Sequence, residues 1–387
     1  MPTLRRVALI MNVNKPYDRK VIMGIARYVR TAGNWSLYVE DEPLAKMPSP
    51  KQWRGDGIIA DFDDVRVVRA ICGLGIPVVG IGGGYGGYEP HSRVPYLATD
   101  NDAIARLAVE HFRVRGHRNF AYCGFPRTGI NRWSEERLDA FVRHLAAAGL
   151  VCSTFVGRHA TARRWEALQS DLTAWIRGLP KPVALMACSD ARARHVLEAC
   201  RRIGACVPDE VAVIGVDNDE LMCELAIPPL SSVIQGTDRL GYEAAELLDQ
   251  LMSGEKPACR RRVIEPLGIA TRQSTDTLAI TDAHLSEVIR YVRDHACTGL
   301  TVPDVAKAVH MARSTLEKRF QRGLGRSVHA EIERVRLQRL RELLQGTDLS
   351  LKEISDRTGF STVQYMTHVF RRLTGTTPAQ YRRANRP

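Results

Sequence analysis

The sequence predicts two folds in series. A two-lobed α/β region over residues 1–275 has a ligand cleft between its lobes; after a linker at 276–282, an all-α region over 283–387 holds two helix-turn-helix units. Three observations carry that prediction. From residue 4 to about 274, short apolar runs alternate with amphipathic stretches, as buried parallel strands alternate with helices in doubly wound sheets. Near residue 276 the alternation stops and helical periodicity takes over. Charge divides at the same place: of the net +12 on 387 residues, +8 falls on residues 278–387, where 19 Lys and Arg face 11 Asp and Glu. A basic excess gathered in one region points to a polyanionic partner.

The elements follow in order. Apolar runs place strands at 6–11, 36–40, 57–62, 77–81, 96–100, 119–124, 183–187, 211–217 and 231–235. The first helix is expected at 18–30, where Val21, Ile22, Ile25, Ala26 and Val29 share one face, and others at 102–114, 135–148, 162–177, 191–203 and 238–252. So long an α/β stretch exceeds one small sheet, hence the two lobes. Residues 254–281, with Gly254, Pro257, Pro266, the basic Arg260, Arg261 and Arg262, and the polar run 273–276, are expected to end the α/β region and pass into the linker. Helices are then expected at 283–295, 302–309, 313–322, 328–345, 351–358 and 362–373.

The all-α region repeats itself. Thr301 and the short apolar helix after it align with Ser350 and its successor at an offset of 49; Leu316, Phe320 and Gly325 align with Met366, Phe370 and Gly375 at an offset of 50. Each copy has a capping hydroxyl, a short helix, a tight turn and a second helix ending in Phe and basic residues. That is the helix-turn-helix plan, whose second helix can enter a DNA major groove. With Leu316 and Phe320 turned to the core, Arg313, Ser314, Glu317 and Lys318 point outward. With Met366 and Phe370 inward, Thr362, Gln364, Thr367 and His368 point outward, followed by Arg371 and Arg372. Such side chains read base edges or hold phosphates. On the joining helix Ile332, Val335, Leu337, Leu340, Leu343 and Leu344 form the apolar face; Arg334, Arg336, Arg339 and Arg341 are expected in solvent, either to hold DNA or simply to solvate the helix.

In the α/β region, polar residues gather just past strand ends, where open sheets bind ligands: Asn12, Asn14, Tyr17 and Asp18; Asp61, Asp63 and Asp64; Asp100; Ser189 and Asp190; Asp217 and Asn218; Gln235. Carboxylates and amides without Cys or His partners suit sugar hydroxyls better than a transition metal, and no metal or cofactor is expected. Each Asp has a second reading as a helix N-cap, strongest for Asp100, Asp63 and Asp64. Trp133 is either a lid over a sugar ring or ordinary packing. Gly82, Gly84 and Gly87 spell a GxGxxG that does not open a helix, and are read as a glycine-rich loop rather than a dinucleotide site.

Residues 283–385 resemble the AraC-type DNA-binding domain through Gly359, Phe360, Tyr365, Phe370, Arg371, Arg372, Gly375, Thr376, Thr377, Pro378, Tyr381 and Arg382. The resemblance implies two helix-turn-helix units about one DNA turn apart. The α/β region resembles the periplasmic-binding-protein-like sensor domain of LacI/GalR-type regulators at Asp100, Arg137, Ser189, Asp190, Asp217 and Gln235; Ser189 departs from the Asn usual there. Stretches 14–19, 55–64, 189–195 and 214–220 extend the likeness to pentose-operon regulators that join these two domain types. This implies a sugar-responsive transcriptional regulator, first of all a D-xylose-dependent activator, working as a homodimer on double-stranded operator DNA and, as an activator, touching RNA polymerase. The alternatives are another sugar, repression, or a sugar-processing enzyme fused to a DNA-binding domain; no Walker A, HExxH or GxSxG motif supports an enzyme. No apolar run has the 18 or so residues that span a bilayer. The N-terminus lacks a signal-peptide pattern, and nine scattered Cys form no CxxC, so a cytoplasmic protein with reduced thiols is expected.

Overall fold

A computed structural model describes residues 4–31, 34–39, 53–71, 73–84, 94–128, 130–158, 164–255, 261–276 and 282–385. Glu40, residues 162–163 of an expected helix, Gly87, Arg260 and the linker residues 277–281 lie outside them. The chain divides into two units, Met1–Thr277 and Leu278–Pro387.

The first unit opens with β1 (Arg5–Ile10), α1 (Pro16–Thr31), β2 (Trp35–Val39), β3 (Gly57–Asp61), α2 (Val65–Ile71), β4 (Val78–Gly82) and β5 (Tyr96–Thr99). It then enters a second lobe through α3 (Asn101–Val114), β6 (Asn119–Cys123), α4 (Arg132–Ala147), β7 (Cys152–Phe155), α5 (Trp165–Arg177), β8 (Val183–Ala187), α6 (Asp190–Arg202), β9 (Val211–Val216), α7 (Glu220–Glu224) and β10 (Ser231–Ile234). It returns with α8 (Thr237–Met252) and β11 (Arg261–Ile264), and crosses a third time to β12 (Gly268–Ala270). One sheet runs β11-β5-β4-β3-β1-β2 and is parallel throughout. The other runs β12-β10-β9-β8-β6-β7 and is parallel except for β12.

Both faces of each sheet are covered, which is why the inner strands are apolar without alternation. In lobe one, Val7, Leu9, Ile59, Val79 and Leu97 pack under α1 and α8, while Ile58, Ala60 and Val78 pack under α2. In lobe two, Leu185 and Val213 meet α5 and α6, and Ala184, Ala212 and Ile214 meet α3 and α4. The expected two-lobed α/β fold is present. No strand was expected at the end of the α/β region, yet residues 261–264 and 268–270 are the outer strands of the two sheets, and β7 was also unforeseen. Cys123, Cys188, Cys200 and Cys223 are buried free thiols. Among the described residues no helix is long and apolar enough to cross a membrane.

The second unit contains α9 (Ala283–His295), α10 (Val302–Ala308), α11 (Arg313–Leu324), α12 (Val328–Gly346), α13 (Leu351–Thr358), α14 (Val363–Thr374) and α15 (Pro378–Asn385). Two apolar cores form. Leu285, Ile289, Val305, Leu316 and Phe320 close on Val328 and Ile332; Ile354, Met366 and Phe370 close on Leu337, Leu340 and Leu344. The single helix α12 therefore supplies one end to each core. The repeat extends to the caps. The Thr301 amide donates to Asp304 Oδ2 at 3.0 Å and the Ser350 amide to Glu353 Oε2 at 2.8 Å. Gly325 and Gly375, at φ 66° and 77°, end the second helix of each copy in the left-handed conformation that a side chain would strain.

Candidate functional site

The strand ends of both sheets meet at one cleft. On lobe two, Arg137 of α4 is 1% exposed, and each of its three guanidinium nitrogens donates to a neighbour in the wall. Nε and Nη2 donate to Asn101 Oδ1 at 3.1 and 2.9 Å, Nη1 donates to the Cys188 carbonyl, and Nη2 reaches Gln235 Oε1 at 3.4 Å. Gln235 in turn donates through Nε2 to Asp217 Oδ1. Trp133 stacks on the far side of Arg137, with the guanidinium carbon 5.2 Å from the ring centroid. Arg137, Gln235, Asp217 and Trp133 thus form one continuous wall. Burial pushes the Asp217 carboxyl up to about 6, against the pull of Arg137.

Lobe one supplies the facing wall. Tyr17 donates its hydroxyl to the Gly82 carbonyl at 2.6 Å. Asp61 accepts Lys15 Nζ at 2.7 Å and the Asp63 amide at 2.9 Å. Asp63 accepts the Gly83 amide at 2.9 Å. Asp18 is fully buried; one oxygen accepts the Asn12 amide at 2.7 Å, and Oδ1 is buried with no hydrogen-bond partner. Burial, helped by the neighbouring Asp61 charge, pushes Asp18 up to about 7. The lobes touch at Gly83: its carbonyl accepts Asn101 Nδ2 at 2.7 Å, and a Cβ there would stand 3.3 Å from Trp133, so glycine permits the close approach.

Five residues singled out in the sequence spend their side-chain oxygens on the protein itself. Asp190, expected to meet hydroxyls, is 1% exposed and has both oxygens engaged by protein: Oδ1 accepts Ser232 Oγ at 2.6 Å, and Oδ2 accepts the Asp219 amide at 2.8 Å and Cys223 Sγ at 3.5 Å. Ser189 caps α6, and Asp100 caps α3 by accepting the Ala103 amide at 2.9 Å. Asn218 Oδ1 accepts Arg272 Nη1 at 2.9 Å. Asp64 accepts the Arg66 amide at 2.9 Å at the start of α2. Sequence reasoning overlooked Asn101 and Lys15; the signal was their place beside Asp100 and Tyr17, since an amide or an ammonium at a strand end serves a polar cleft as well as a carboxylate does.

On the second unit, Arg313, Ser314, Lys318, Gln364 and His368 are exposed on α11 and α14, and Thr367 is half-buried. Thr362 is exposed but accepts the Tyr365 amide at 3.1 Å as the cap of α14. Glu317 departs from expectation: it is half-buried and accepts the Val328 amide at 3.3 Å, tying α11 to the start of α12. The joining helix also differs. Arg336 is buried rather than solvated, donating to the carbonyls of Ala296 and Leu300 at 2.8 Å each. Arg334 pairs with the buried Glu331 at 2.8 Å. Glu333 accepts Tyr365 at 3.1 Å and Arg372 at 2.7 Å, binding α12 to α14.

Comparison with known proteins bears on both units. A model of the XylR N-terminal domain matches residues 6–102, one of periplasmic binding protein-like domains matches 109–275, and one of helix-turn-helix domains matches 305–384. The chain is 38% identical over 381 residues to the xylose operon regulatory protein of Escherichia coli (strain K12), covering 98% of this chain and 97% of that protein. It is 36% identical over 378 residues to the protein of the same name from Haemophilus influenzae, covering 97% and 98%. A solved structure described as that of the xylose-binding transcription activator xylR matches it with a TM-score of 0.84 at 37% identity over the whole of both chains.

Proposed function

This chain belongs to the family of xylose operon regulatory proteins, and from that premise we propose that D-xylose binds in the cleft between the two lobes of its sensor unit and that the sugar-bound form activates transcription. The chain is a sugar-responsive AraC-type regulator of xylose genes, not an enzyme. The observation that carries the ligand assignment is Asp18 Oδ1, a buried carboxylate oxygen without a partner. Asp18 stands on α1, the helix from which Lys20 reaches the Asp217 and Asn218 carbonyls of lobe two. A buried acceptor left unpaired costs about 1–3 kcal/mol, which a ligand hydroxyl would recover.

In this reading Asp18 and Asp217 accept sugar hydroxyls. Arg137 and Gln235 fix the Asp217 carboxylate, Trp133 covers the apolar face of the ring, and Tyr17 and Asp61 shape the opposite wall. Asp190, Ser189, Asn218 and Asp100 act one step back, by holding the strand ends. On DNA, Arg313, Ser314 and Lys318 of α11 and Thr362, Gln364, Thr367 and His368 of α14 meet the grooves of an operator. The protein acts as a homodimer in the cytoplasm, where the operator and RNA polymerase are. Titration calorimetry with D-xylose tests the ligand. Wild-type protein should bind, and Asp217→Ala, folded, should lose about 1.5–3 kcal/mol for each charge-assisted bond removed. No heat from the wild type rejects D-xylose; unchanged affinity in the variant rejects the site.

A further inference from the structure

We propose that Lys20 is a positioning residue that latches the two lobes together, gripping the turn that carries Asp217 and so slowing escape of the ligand; this rests on the cleft being the sugar site. Lys20 stands on α1 of lobe one. Its Nζ donates to two main-chain carbonyls of lobe two, that of Asp217 at 2.8 Å and that of Asn218 at 2.6 Å. These are short bonds from a charged donor to neutral acceptors. The turn presents both carbonyls to α1 through an unusual backbone, with φ 113° at Asp217 and 48° at Asn218. Residues with a Cβ seldom adopt such values, and they persist where surrounding bonds enforce them.

Those bonds are present. The Asp217 amide donates to the Val233 carbonyl at 3.1 Å, the Asn218 amide to Ser232 Oγ at 2.9 Å, and Arg272 Nη1 to Asn218 Oδ1 at 2.9 Å. Arg19, the neighbour of Lys20, reaches Asp219 Oδ2 at 3.3 Å. Two consecutive residues of lobe one therefore hold three consecutive residues of lobe two, and the first of these three bears the carboxylate aimed at the ligand. Both Lys20 bonds span the lobes, so separating the lobes breaks both. A contact made only in the closed form acts on departure of the ligand and not on its arrival, because the open form that admits the ligand lacks it.

The test uses the full chain and D-xylose, with calorimetry for the dissociation constant and stopped-flow tryptophan fluorescence for the rates. Lys20→Met keeps the apolar stem and removes the donors. It should raise the dissociation rate and the dissociation constant at least about tenfold, and leave the association rate within about twofold. Lys20→Arg should restore much of the loss, which a purely structural role would not show. Without sugar, hydrogen exchange across 217–219 should quicken in Lys20→Met as the lobes part more often. A folded Lys20→Met that releases D-xylose and exchanges like the wild type overturns the latch. A wild type that gives no heat with D-xylose contradicts the sugar assignment instead, and the exchange measurement then decides the latch by itself.

Discussion

At the scale of single residues, the cleft is a set of carboxylates held near neutrality by burial. Burial pushes Asp217 to about 6 and Asp18 to about 7, and burial with the Asp217 charge pushes Asp190 to about 8. All lie above the ordinary 3.8. Between that value and the raised ones, the folded protein binds protons that the unfolded chain has released. The contribution of these groups to stability therefore falls as pH rises from about 4 to about 8 and is level above. Sugar affinity runs the other way, because an ionised carboxylate accepts hydroxyl hydrogens with both oxygens. D-Xylose affinity should strengthen from about pH 5 to pH 8. In Asp217→Asn, calorimetry across that range should show the step near pH 6 gone. A wild-type affinity that weakens over the same range would remove these carboxylates from the role of acceptors. None of this was readable from the sequence. It placed Asp190 and Asp217 alike after apolar strands, yet Asp190 lies among Ser232, Cys223 and the Asp219 amide while Asp217 accepts from Gln235, which Arg137 holds in turn. Which donors consume a carboxylate is decided by partners dozens of residues away.

At the scale of elements, α12 sets the frame of the DNA-binding unit. Its first turns complete the core around Phe320 and its later turns the core around Phe370. The ties of Glu333 to Tyr365 and Arg372, and of Arg336 to the carbonyls of Ala296 and Leu300, fix the two halves on one rod. Residues on α11 and α14 thus divide by task. Gln364 is exposed, so Gln364→Ala should shift base preference by about 1–3 kcal/mol in competition binding to variant operators while leaving the melting temperature alone. Glu317 accepts the first amide of α12, so Glu317→Ala should lower stability by about 1 kcal/mol in denaturant unfolding and leave base preference unchanged. The opposite pattern in either variant would refute the division. Six of the seven described α-helices of this unit were legible from their apolar spacing, while α15 escaped notice. The strands that escaped notice, β7, β11 and β12, all lie at sheet edges. An edge strand has one neighbour and less burial, so it needs no apolar run, and the Arg261-Arg262 start of β11 hides it among basic residues.

At the scale of the molecule, a sensor unit and a DNA-binding unit each fold around their own cores, and regulation requires that ligand and DNA report on one another. The last described residues of the sensor unit are built firmly into lobe two. Ser274 Oγ donates to the Val213 carbonyl at 2.6 Å, Thr275 Oγ1 lies 2.8 Å from His111 Nε2, and Arg115 Nε donates to the Thr275 carbonyl at 3.0 Å. Residues 274–275 are therefore anchored to α3, β9 and β10 of lobe two. Linkage then demands a coupling free energy, the same whether read from sugar or from DNA. The most direct measurement is the affinity of the full chain for DNA selected from a random pool, followed by fluorescence anisotropy with and without saturating D-xylose. The expected result is binding tightened by about 5–150-fold in the presence of D-xylose, lost in Asp217→Ala, and absent from a fragment of residues 283–387 that still binds the same DNA. Equal affinity with and without D-xylose, in protein that calorimetry shows to be loaded with the sugar, would contradict the assignment of this chain as a regulator that D-xylose switches.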